Sequence, residues 1–455
     1  MRNKMNRRSF IGATTAAMLG MPAATRAVEK TELPNIIFIM ADDLGYADLG
    51  CYGQQNILTP NIDRLAAEGA RFTQCYTGSP VCAPSRNVLM TGQHAGHTTV
   101  RGNHGINAPK HDGQEGRIPL KAADVTVAEV LKQAGYATAI TGKWGLGEPG
   151  STGLPNDHGF DEWLGYLNQD HAPDYYTDYL WRNKKKQVVE ANLDGKREAY
   201  SCDLFNEFCL DFIRKNKDNP FFLYVPTTIP HAKLEVPSLE AYADKPWPEE
   251  AKTFAAMVSR IDGHVGKILD LLRELNLEQN TIVFFTSDNG SAKGWQGLFN
   301  SCGPLRDKKG SVYEGGIRCP MIVRWPGKID AGKTSDAVWY FADVLPTLAE
   351  AAGVQAPENV DGVSVLPTLL GRPQQLDDRF LYWELPHRKR GLQQAVRWGD
   401  WKGVRVGLNG PLELYNLAND VGEKHNIANE NSEVTARLTA FLNAARVPSP
   451  HWPRD

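Results

Sequence analysis

The stretch Asn35 to Met40, NIIFIM, reads as one apolar run and ends just before the pair Asp42-Asp43. A run without polar alternation indicates a strand buried on both faces of a parallel sheet. Two later runs share this character, FFLYV over Phe221 to Val225 and TIVFFTS over Thr281 to Ser287. The three runs therefore predict strands of a mostly parallel sheet.

Helical patterns alternate with these strands. A further short strand is predicted over Tyr136 to Thr141, and the predicted helices are Thr59 to Glu68, Thr126 to Ala134, Asp203 to Lys215, Phe254 to Leu275 and Ala342 to Ala352. In the fourth helix the apolar residues keep a helical stripe. Alternating helices and strands predict an α/β fold whose large, mostly parallel sheet is sandwiched by helices.

The pattern of predicted secondary structure changes near Arg372. The segments RFLYWEL, QQAVRWGDWKGVRV and LELYNL are short and strand-like, and the helix Glu433 to Arg446 follows them. They predict a small antiparallel sheet closed by one helix. Because 455 residues exceed what one compact core usually organises, we expect a large domain over residues 28–371 and a small C-terminal α+β subdomain over residues 372–455.

The N-terminus has the pattern of an export signal. Arg7-Arg8-Ser9-Phe10 precede an apolar stretch rich in Ala and Gly, and small residues surround Ala27. The pattern predicts a signal peptide of the twin-arginine type over residues 1–27 and a periplasmic or extracellular protein. The stretch is too short to span a bilayer as a mature helix, so no membrane span is expected. The alternative is an ordinary charged N-terminus.

The net charge and the cysteine content argue against several classes of function. A formal net charge of −3 gives no general attraction to nucleic acid or to anionic membranes. The seven cysteines include no C-x-x-C pair, which argues against a zinc site or a thioredoxin motif. In an exported protein the odd count leaves an unpaired thiol or a cysteine converted to something else.

Polar side chains follow several predicted strands. Asp42-Asp43, Lys143, His231 and Asp288-Asn289 all lie at carboxyl ends, where parallel sheets bind their ligands. The pairs Asp42-Asp43 and Asp288-Asn289 offer four hard oxygen ligands, which suit Ca²⁺ or Mg²⁺. The alternative for either pair alone is a turn after a strand, since Asx residues favour turns.

The segment Cys82 to Arg86, CAPSR, precedes a predicted helix that runs to Met90. Pro84 suits the first turn of that helix, so Cys82 lies at its N-terminus, where the helix dipole stabilises negative charge. For a lone cysteine the alternative is a buried or capping residue.

The pentapeptide resembles the signature of type I sulfatases, members of the alkaline phosphatase superfamily in which this cysteine is oxidised to formylglycine. Further blocks match in the same order along nearly the whole mature chain: Asn35 to Ile37, Ala41 to Tyr46, Thr141 to Gly147 and Tyr313 to Arg318. The resemblance implies an alkaline phosphatase-like fold, sulfuric ester hydrolase activity in residues 28–371, and a maturation enzyme that makes formylglycine.

The resemblance also implies the site residues. It gives a Ca²⁺ ion, with Mg²⁺ as the second choice, and a set of ligands formed by Asp42, Asp43, Asp288, Asn289 and the modified Cys82. Arg86 would hold the modified residue, and Lys143, His231 and Lys309 would surround the sulfate. Lys308 is the adjacent alternative to Lys309, and counting back from Tyr313 favours Lys309; a solvated turn is the usual place for such a pair.

The chemistry fits these assignments. A sulfate ester is anionic, so its nucleophile must lie beside fixed positive charge. The aldehyde at position 82 hydrates to a diol; one hydroxyl attacks sulfur, and the second collapses the adduct and regenerates the aldehyde. His231 is the candidate to protonate the departing alcohol, with a packing role as the alternative.

Gly145 departs from the family pattern, because many members have histidine two residues after the motif lysine. The residue that assists collapse of the adduct is therefore open. The candidates are His97, His104, His158 and His171, and Asp288 is a candidate base at the nucleophile.

The segment Gly159 to Leu180 mixes aromatic and polar residues, which is typical both of sugar-binding walls and of packed loops. Resemblance to exported bacterial sulfatases favours a sulfated carbohydrate as substrate, with an aryl sulfate ester as the general form. Two other functions stay open: hydrolysis of phosphonate or phosphate esters, and binding of sulfated glycans by a catalytically idle protein.

Overall fold

The computed structural model describes residues 33–105, 117–376, 378–387 and 391–452. The predicted signal peptide over residues 1–27 lies outside these ranges and stays a prediction. Within them, no helix combines the length and the apolar character needed to cross a lipid bilayer.

The elements are numbered here in chain order. The strands are β1 Asn35–Ala41, β2 Ala70–Tyr76, β3 Ala137–Lys143, β4 Glu162–Tyr166, β5 Tyr179–Arg182, β6 Lys185–Val188, β7 Phe221–Pro226, β8 Thr281–Ser287, β9 Arg318–Arg324, β10 Lys333–Ser335, β11 Trp339–Tyr340, β12 Phe380–His387, β13 Gly391–Trp398, β14 Trp401–Val406 and β15 Leu412–Asn416. The α-helices are α1 Pro60–Ala67, α2 Cys82–Thr91, α3 Val127–Gln133, α4 Ser201–Lys215, α5 Glu249–Glu274, α6 Glu314–Ile317, α7 Val344–Ala351, α8 Leu366–Leu369 and α9 Ser432–Ala444.

One large sheet organises the described chain. Its strands follow the order β10-β2-β9-β8-β1-β7-β3-β4-β5-β6, and β11 also pairs with β2. The central strands β8, β1, β7, β3 and β4 are parallel to their neighbours in that series. The antiparallel pairs lie to either side, where β9 joins β8 to β2 and where β5 joins β4 to β6. The predicted α/β class is confirmed.

The two faces of the sheet carry separate cores because side chains alternate along each strand. On β1, Ile36, Phe38 and Met40 pack with side chains of α2, α3 and α7. Ile37 and Ile39 face the other way and pack with side chains of α1, α4 and α5. Every residue of β1 is buried, which explains why its sequence shows no polar alternation.

Helix α5 begins at Glu249, five residues before the predicted start at Phe254. Pro248 precedes it, and its first turn is acidic, which favours a helix N-terminus. The apolar stripe that guided the prediction begins only once the helix reaches the core.

The C-terminal segments form a four-stranded antiparallel sheet in the order β12-β13-β14-β15. Leu438 and Leu442 of α9 pack with Val396 and Leu414 of this sheet, so the predicted helix closes it. The domain boundary near Arg372 stays a prediction.

Candidate active site

Two pairs of polar residues meet where β1 and β8 end. Ala41 and Ser287 are paired in the parallel register, so the residues after them emerge side by side. Asp43 N donates to Asp288 Oδ1 at 3.2 Å, and Asn289 Nδ2 donates to Asp43 Oδ1 at 2.7 Å. The hydrogen-bond ladder of two buried strands therefore sets the spacing of these side chains.

Helix α2 brings Cys82 to this cluster. Cys82 is the first residue of the helix and only 1% exposed, and its Sγ donates to Asp42 Oδ1 at 3.5 Å. Ala83 N donates to Asn103 Oδ1 at 3.0 Å, which fixes the loop that approaches the helix start. Burial, and next the charge of Asp42, raise the pKa of the Cys82 thiol to about 12. The unmodified thiol is therefore protonated at neutral pH and is a weak nucleophile.

Arg86 lies one turn further along α2 and is almost completely buried. Its Nε and Nη2 donate to Asp288 Oδ2 at 3.1 and 2.7 Å, and Nη2 is 3.5 Å from Asp42 Oδ2. Nη1 donates to the carbonyl of Lys143. One guanidinium therefore ties α2 to the ends of β1, β3 and β8, which a lysine could not do with the same geometry.

Two lysines face the carboxylates. Lys143, the last residue of β3, donates from Nζ to Asp42 Oδ2 at 2.6 Å. Lys309 donates from Nζ to Asp43 Oδ2 at 2.7 Å, whereas its neighbour Lys308 is exposed. The structure therefore places Lys309 at the site, as counting back from Tyr313 favoured.

His231 follows β7 and lies at the open side of the cluster, with 22% of its side chain exposed. Its Nδ1 contacts the carbonyl of Ala232; because a carbonyl only accepts, Nδ1 carries the proton. Nε2 then faces Asp43 Oδ2 at 3.6 Å. Tyr175 donates from its hydroxyl to the His231 carbonyl at 2.6 Å and so fixes the residue. Burial lowers the pKa of His231, although Asp42 opposes the shift.

The two buried aspartates that follow β1 and β8 have opposite pKa shifts. Burial acts to raise the pKa of Asp42, but Lys143, His231 and Arg86 together hold it well below its ordinary value. Burial, and next the charge of Asp42, raise the pKa of Asp288 to about 6 even though Arg86 opposes the shift. Of these two aspartates, Asp42 therefore keeps its negative charge to the lower pH.

The donor set fits a hard cation. Asn289 Nδ2 donates to Asp43 Oδ1 and to the carbonyl of Gly290, which fixes the orientation of the amide. Its Oδ1 then points away from both and is buried without a hydrogen-bond partner in the described chain. An orphaned buried oxygen beside three carboxylates is a feature that an oxygen-preferring cation such as Ca²⁺ would satisfy. Ligand atoms of Asp42, Asp43, Cys82 and His231 also lie within 4.8 Å of one another.

Gly145 has a specific neighbour that the sequence did not reveal. Its φ is 82°, and a Cβ at this position would lie 2.5 Å from Gln169 Nε2. Gln169 Nε2 donates to the Gly145 carbonyl at 3.4 Å, and its Oε1 is buried without a hydrogen-bond partner in the described ranges. The side-chain amide of Gln169 therefore occupies the space beside Gly145.

Four histidines are candidates to assist collapse of the adduct, and each contacts another side chain in the structure. His97 contacts Asp361, His104 contacts Arg117, His158 contacts Glu129, and His171 contacts Thr177.

The aromatic segment before α4 is mainly a packed region. Phe160, Trp163, Tyr166 and Tyr175 are buried and belong to the two cores of the large sheet. The packed-loop interpretation therefore holds for these four residues, and a sugar-binding wall made of them is excluded.

An alkaline phosphatase-like fold with carboxylates, an arginine and two lysines around a buried cysteine defines a hydrolase of anionic esters. Residues 34–354 match the family model described as Sulfatase, and residues 305–447 match the model described as N-sulphoglucosamine sulphohydrolase, C-terminal. The chain belongs to the sulfatase family and is a sulfuric ester hydrolase.

Similar proteins span most of the chain. It is 37% identical over 414 residues to N-acetylgalactosamine-6-sulfatase of Canis lupus familiaris, which covers 85% of this chain and 76% of that protein. It is 34% identical over 467 residues to arylsulfatase A of Homo sapiens, with 92% and 87% covered. A crystal structure of Ps i-CgsB in complex with k-i-k-neocarrahexaose matches with a TM-score of 0.80 and 30% identity, covering 93% and 95% of the two chains.

Proposed function

We propose that this chain hydrolyses sulfate esters of a sulfated carbohydrate at a Ca²⁺ site, with a nucleophile made by oxidising Cys82 to formylglycine. The observation that carries the proposal is the buried contact of Cys82 with Asp42, in a cluster where Lys143 binds Asp42 and Lys309 binds Asp43. Membership of the sulfatase family supports it.

The names of similar proteins favour a carbohydrate. One relative is an N-acetylgalactosamine-6-sulfatase, and the Ps i-CgsB structure contains a neocarrahexaose. Both proteins handle sugars, and both are at least 30% identical to this chain over most of its length. A sulfated glycan is therefore the substrate class we propose.

Asp42, Asp43, Asp288 and Asn289 would hold the cation, which neutralises anionic charge and acidifies a neighbouring hydroxyl. A formylglycine at position 82 would supply that hydroxyl as its hydrate. The helix N-terminus at residue 82 favours negative charge there.

The remaining side chains act on the ester itself. Lys143 and Lys309 present two ammonium groups to the sulfate, so the approach of an anionic substrate is favoured. Arg86 holds Asp288 and the end of β3 in place. When the bond between sulfur and the alcohol oxygen breaks, that oxygen needs a proton, and we assign Nε2 of His231 to deliver it. The step requires a His231 ring that carries a second proton on Nε2, a form that the charges of Asp42 and Asp43 favour.

The test uses protein expressed with a formylglycine-generating maturation enzyme, with the modification verified by mass spectrometry of the peptide that contains residue 82. Release of sulfate is measured on a panel of sulfated oligosaccharides and on 4-nitrophenyl sulfate, with 4-nitrophenyl phosphate as the comparison. We expect sulfate esters to be hydrolysed faster than the phosphate ester.

Cys82→Ala is the matched control, because alanine fits the buried position and cannot be converted to an aldehyde. This variant should keep its circular dichroism spectrum and lose turnover. A fully active Cys82→Ala protein would contradict the mechanism, and a preference for the phosphate ester would favour the phosphonate or phosphate hydrolase. Unmodified native protein that still binds sulfated sugar would favour the idle binder.

A further inference from the structure

The loop that carries Lys309 is held on two sides. We call residues 306–314 the lysine loop. On the side of the large sheet, Lys309 N donates to the carbonyl of Ser291 at 3.1 Å, and Gly310 N donates to the carbonyl of Pro80 at 2.9 Å. A second set of contacts comes from residues 83 to 117 positions later in the chain.

Strands of the C-terminal sheet and the segment after β15 contact both ends and the middle of the lysine loop. Gln393 of β13, 1% exposed, donates from Nε2 to the carbonyl of Gly310 at 3.3 Å. Arg306 donates from Nη1 to the Tyr415 hydroxyl at 2.9 Å and to the carbonyl of Glu423 at 2.7 Å. The C-terminal sheet therefore reaches the residue directly after Lys309.

The end of the lysine loop is fixed by a buried lysine. Lys402 of β14 has no exposed surface, and its Nζ lies 2.8 Å from Glu314 Oε1 and 2.8 Å from Glu423 Oε1. Glu314 N donates to Glu423 Oε2 at 2.7 Å, and Tyr76 donates from its hydroxyl to Glu314 Oε2 at 2.7 Å. Buried ion pairs contribute little net stability compared with apolar packing of the same volume, so the consequence of these contacts that matters here is geometric: they fix the position of Glu314 at the end of the lysine loop.

We propose that Gln393 and Lys402 are positioning residues for Lys309, because they fix the backbone of the lysine loop from the C-terminal sheet. The proposal rests on the proposed function, which assigns Lys309 to the sulfate. A lysine side chain has several rotatable bonds, so the position of its backbone decides which points its ammonium group reaches. A displacement of about 1 Å in a binding group reduces turnover by up to roughly a hundredfold.

Two variants test the proposal without stranding a buried charge. Gln393→Leu removes the bond to the Gly310 carbonyl and changes no charge. Lys402→Met is combined with Glu423→Gln, so that one cation and one carboxylate are lost together. Burial, opposed by Lys402, raises the pKa of Glu423 to about 7, so glutamine copies a protonation state that the folded protein already populates near neutral pH.

The experiment is a double-mutant cycle with Lys309→Ala on the mature, formylglycine-containing protein. It measures kcat and KM for 4-nitrophenyl sulfate and the inhibition constant of inorganic sulfate. We expect each variant to lower kcat/KM by about tenfold or more and to weaken inhibition by sulfate. In the Lys309→Ala background the same changes should have no further effect on either quantity, because they act through Lys309.

Arg324→Met is the control, since it breaks the partly exposed ion pairs of the buried Arg324 with Glu68 and Glu278 at the opposite edge of the sheet. It should lower the thermal midpoint and leave sulfate inhibition unchanged. If the losses in kcat/KM caused by Lys309→Ala and by either variant multiply independently, the positioning role is overturned. Wild-type kinetics of both Gln393→Leu and the paired variant would also overturn it. If Lys309→Ala itself is fully active, the assignment of Lys309 to sulfate fails first.

Discussion

Acid should destabilise this protein partly through one buried histidine. His94 lies just beyond the end of α2, is 8% exposed, and accepts a hydrogen bond at Nδ1 from Gly96 N at 3.1 Å. Its ring packs against Tyr382 at a centroid distance of 5.1 Å. Burial lowers the pKa of His94 to about 4, although the nearby carboxylate of Asp361 opposes the shift.

The sign of the effect follows from the two pKa values of His94. The unfolded chain binds the proton at the ordinary pKa of about 6.5 and the folded chain at about 4, so the unfolded state takes up more protons between those values. The stabilising contribution is complete above pH 6.5 and is lost as the pH falls toward 4. The difference corresponds to about 3 kcal/mol in total, of which about 2 kcal/mol is lost between pH 7 and pH 5.

The assay is urea unfolding followed by tryptophan fluorescence at pH 7 and at pH 5. In His94→Asn the side-chain oxygen can accept the same hydrogen bond from Gly96 but does not titrate in this range. On lowering the pH, the wild type should lose about 2 kcal/mol more than the variant in free energy of unfolding. His425→Asn, at an exposed position, is the control. Equal losses in the wild type and in His94→Asn would refute the reasoning.

The packing of the fold also determines the outcomes of three further changes. Gly165→Ala places a Cβ 1.8 Å from the Gly142 carbonyl, so the free energy of unfolding in urea should fall by about 3 kcal/mol. Gly263→Ala lies in α5 with open space around it, and the same measurement should show about 0.5–1 kcal/mol of added stability; a loss would show hidden crowding. Ca²⁺ at a hundred times its Kd should stabilise the protein by about 2.7 kcal/mol in thermal unfolding, and Asp288→Ala should abolish this response; a variant that still responds would place the ion elsewhere.

The central strands could be predicted from the sequence because burial on both faces of the sheet produces continuous apolar runs. TIVFFTS became β8 with the predicted bounds, and FFLYV became β7 with one residue added. The antiparallel strand β9 was missed. Pro320 lies within it, and a proline inside an apolar run argues against a strand of the sheet interior.

Part of the candidate site could also be predicted from the sequence, because its residues follow the predicted strands. Parallel strands end at one edge of a sheet, so Asp42 and Asp288 could be expected to meet although 246 positions separate Asp288 from Asp42. No such rule predicts that Gln169 fills the space beside Gly145, or that Gln393 contacts the lysine loop. Those contacts depend on how loops and the second sheet pack, and no local pattern in the sequence records that packing.

The near-complete burial of Cys82 fixes an order of events. A side chain that is 1% exposed, with Asp42 against its sulfur, cannot enter the active site of another enzyme while the fold is intact. Any enzyme that alters this cysteine must therefore reach it before α2 packs against the sheet. If Cys82 is oxidised as proposed, folding and modification compete for the same newly made chain, and a molecule that folds first keeps the unmodified cysteine.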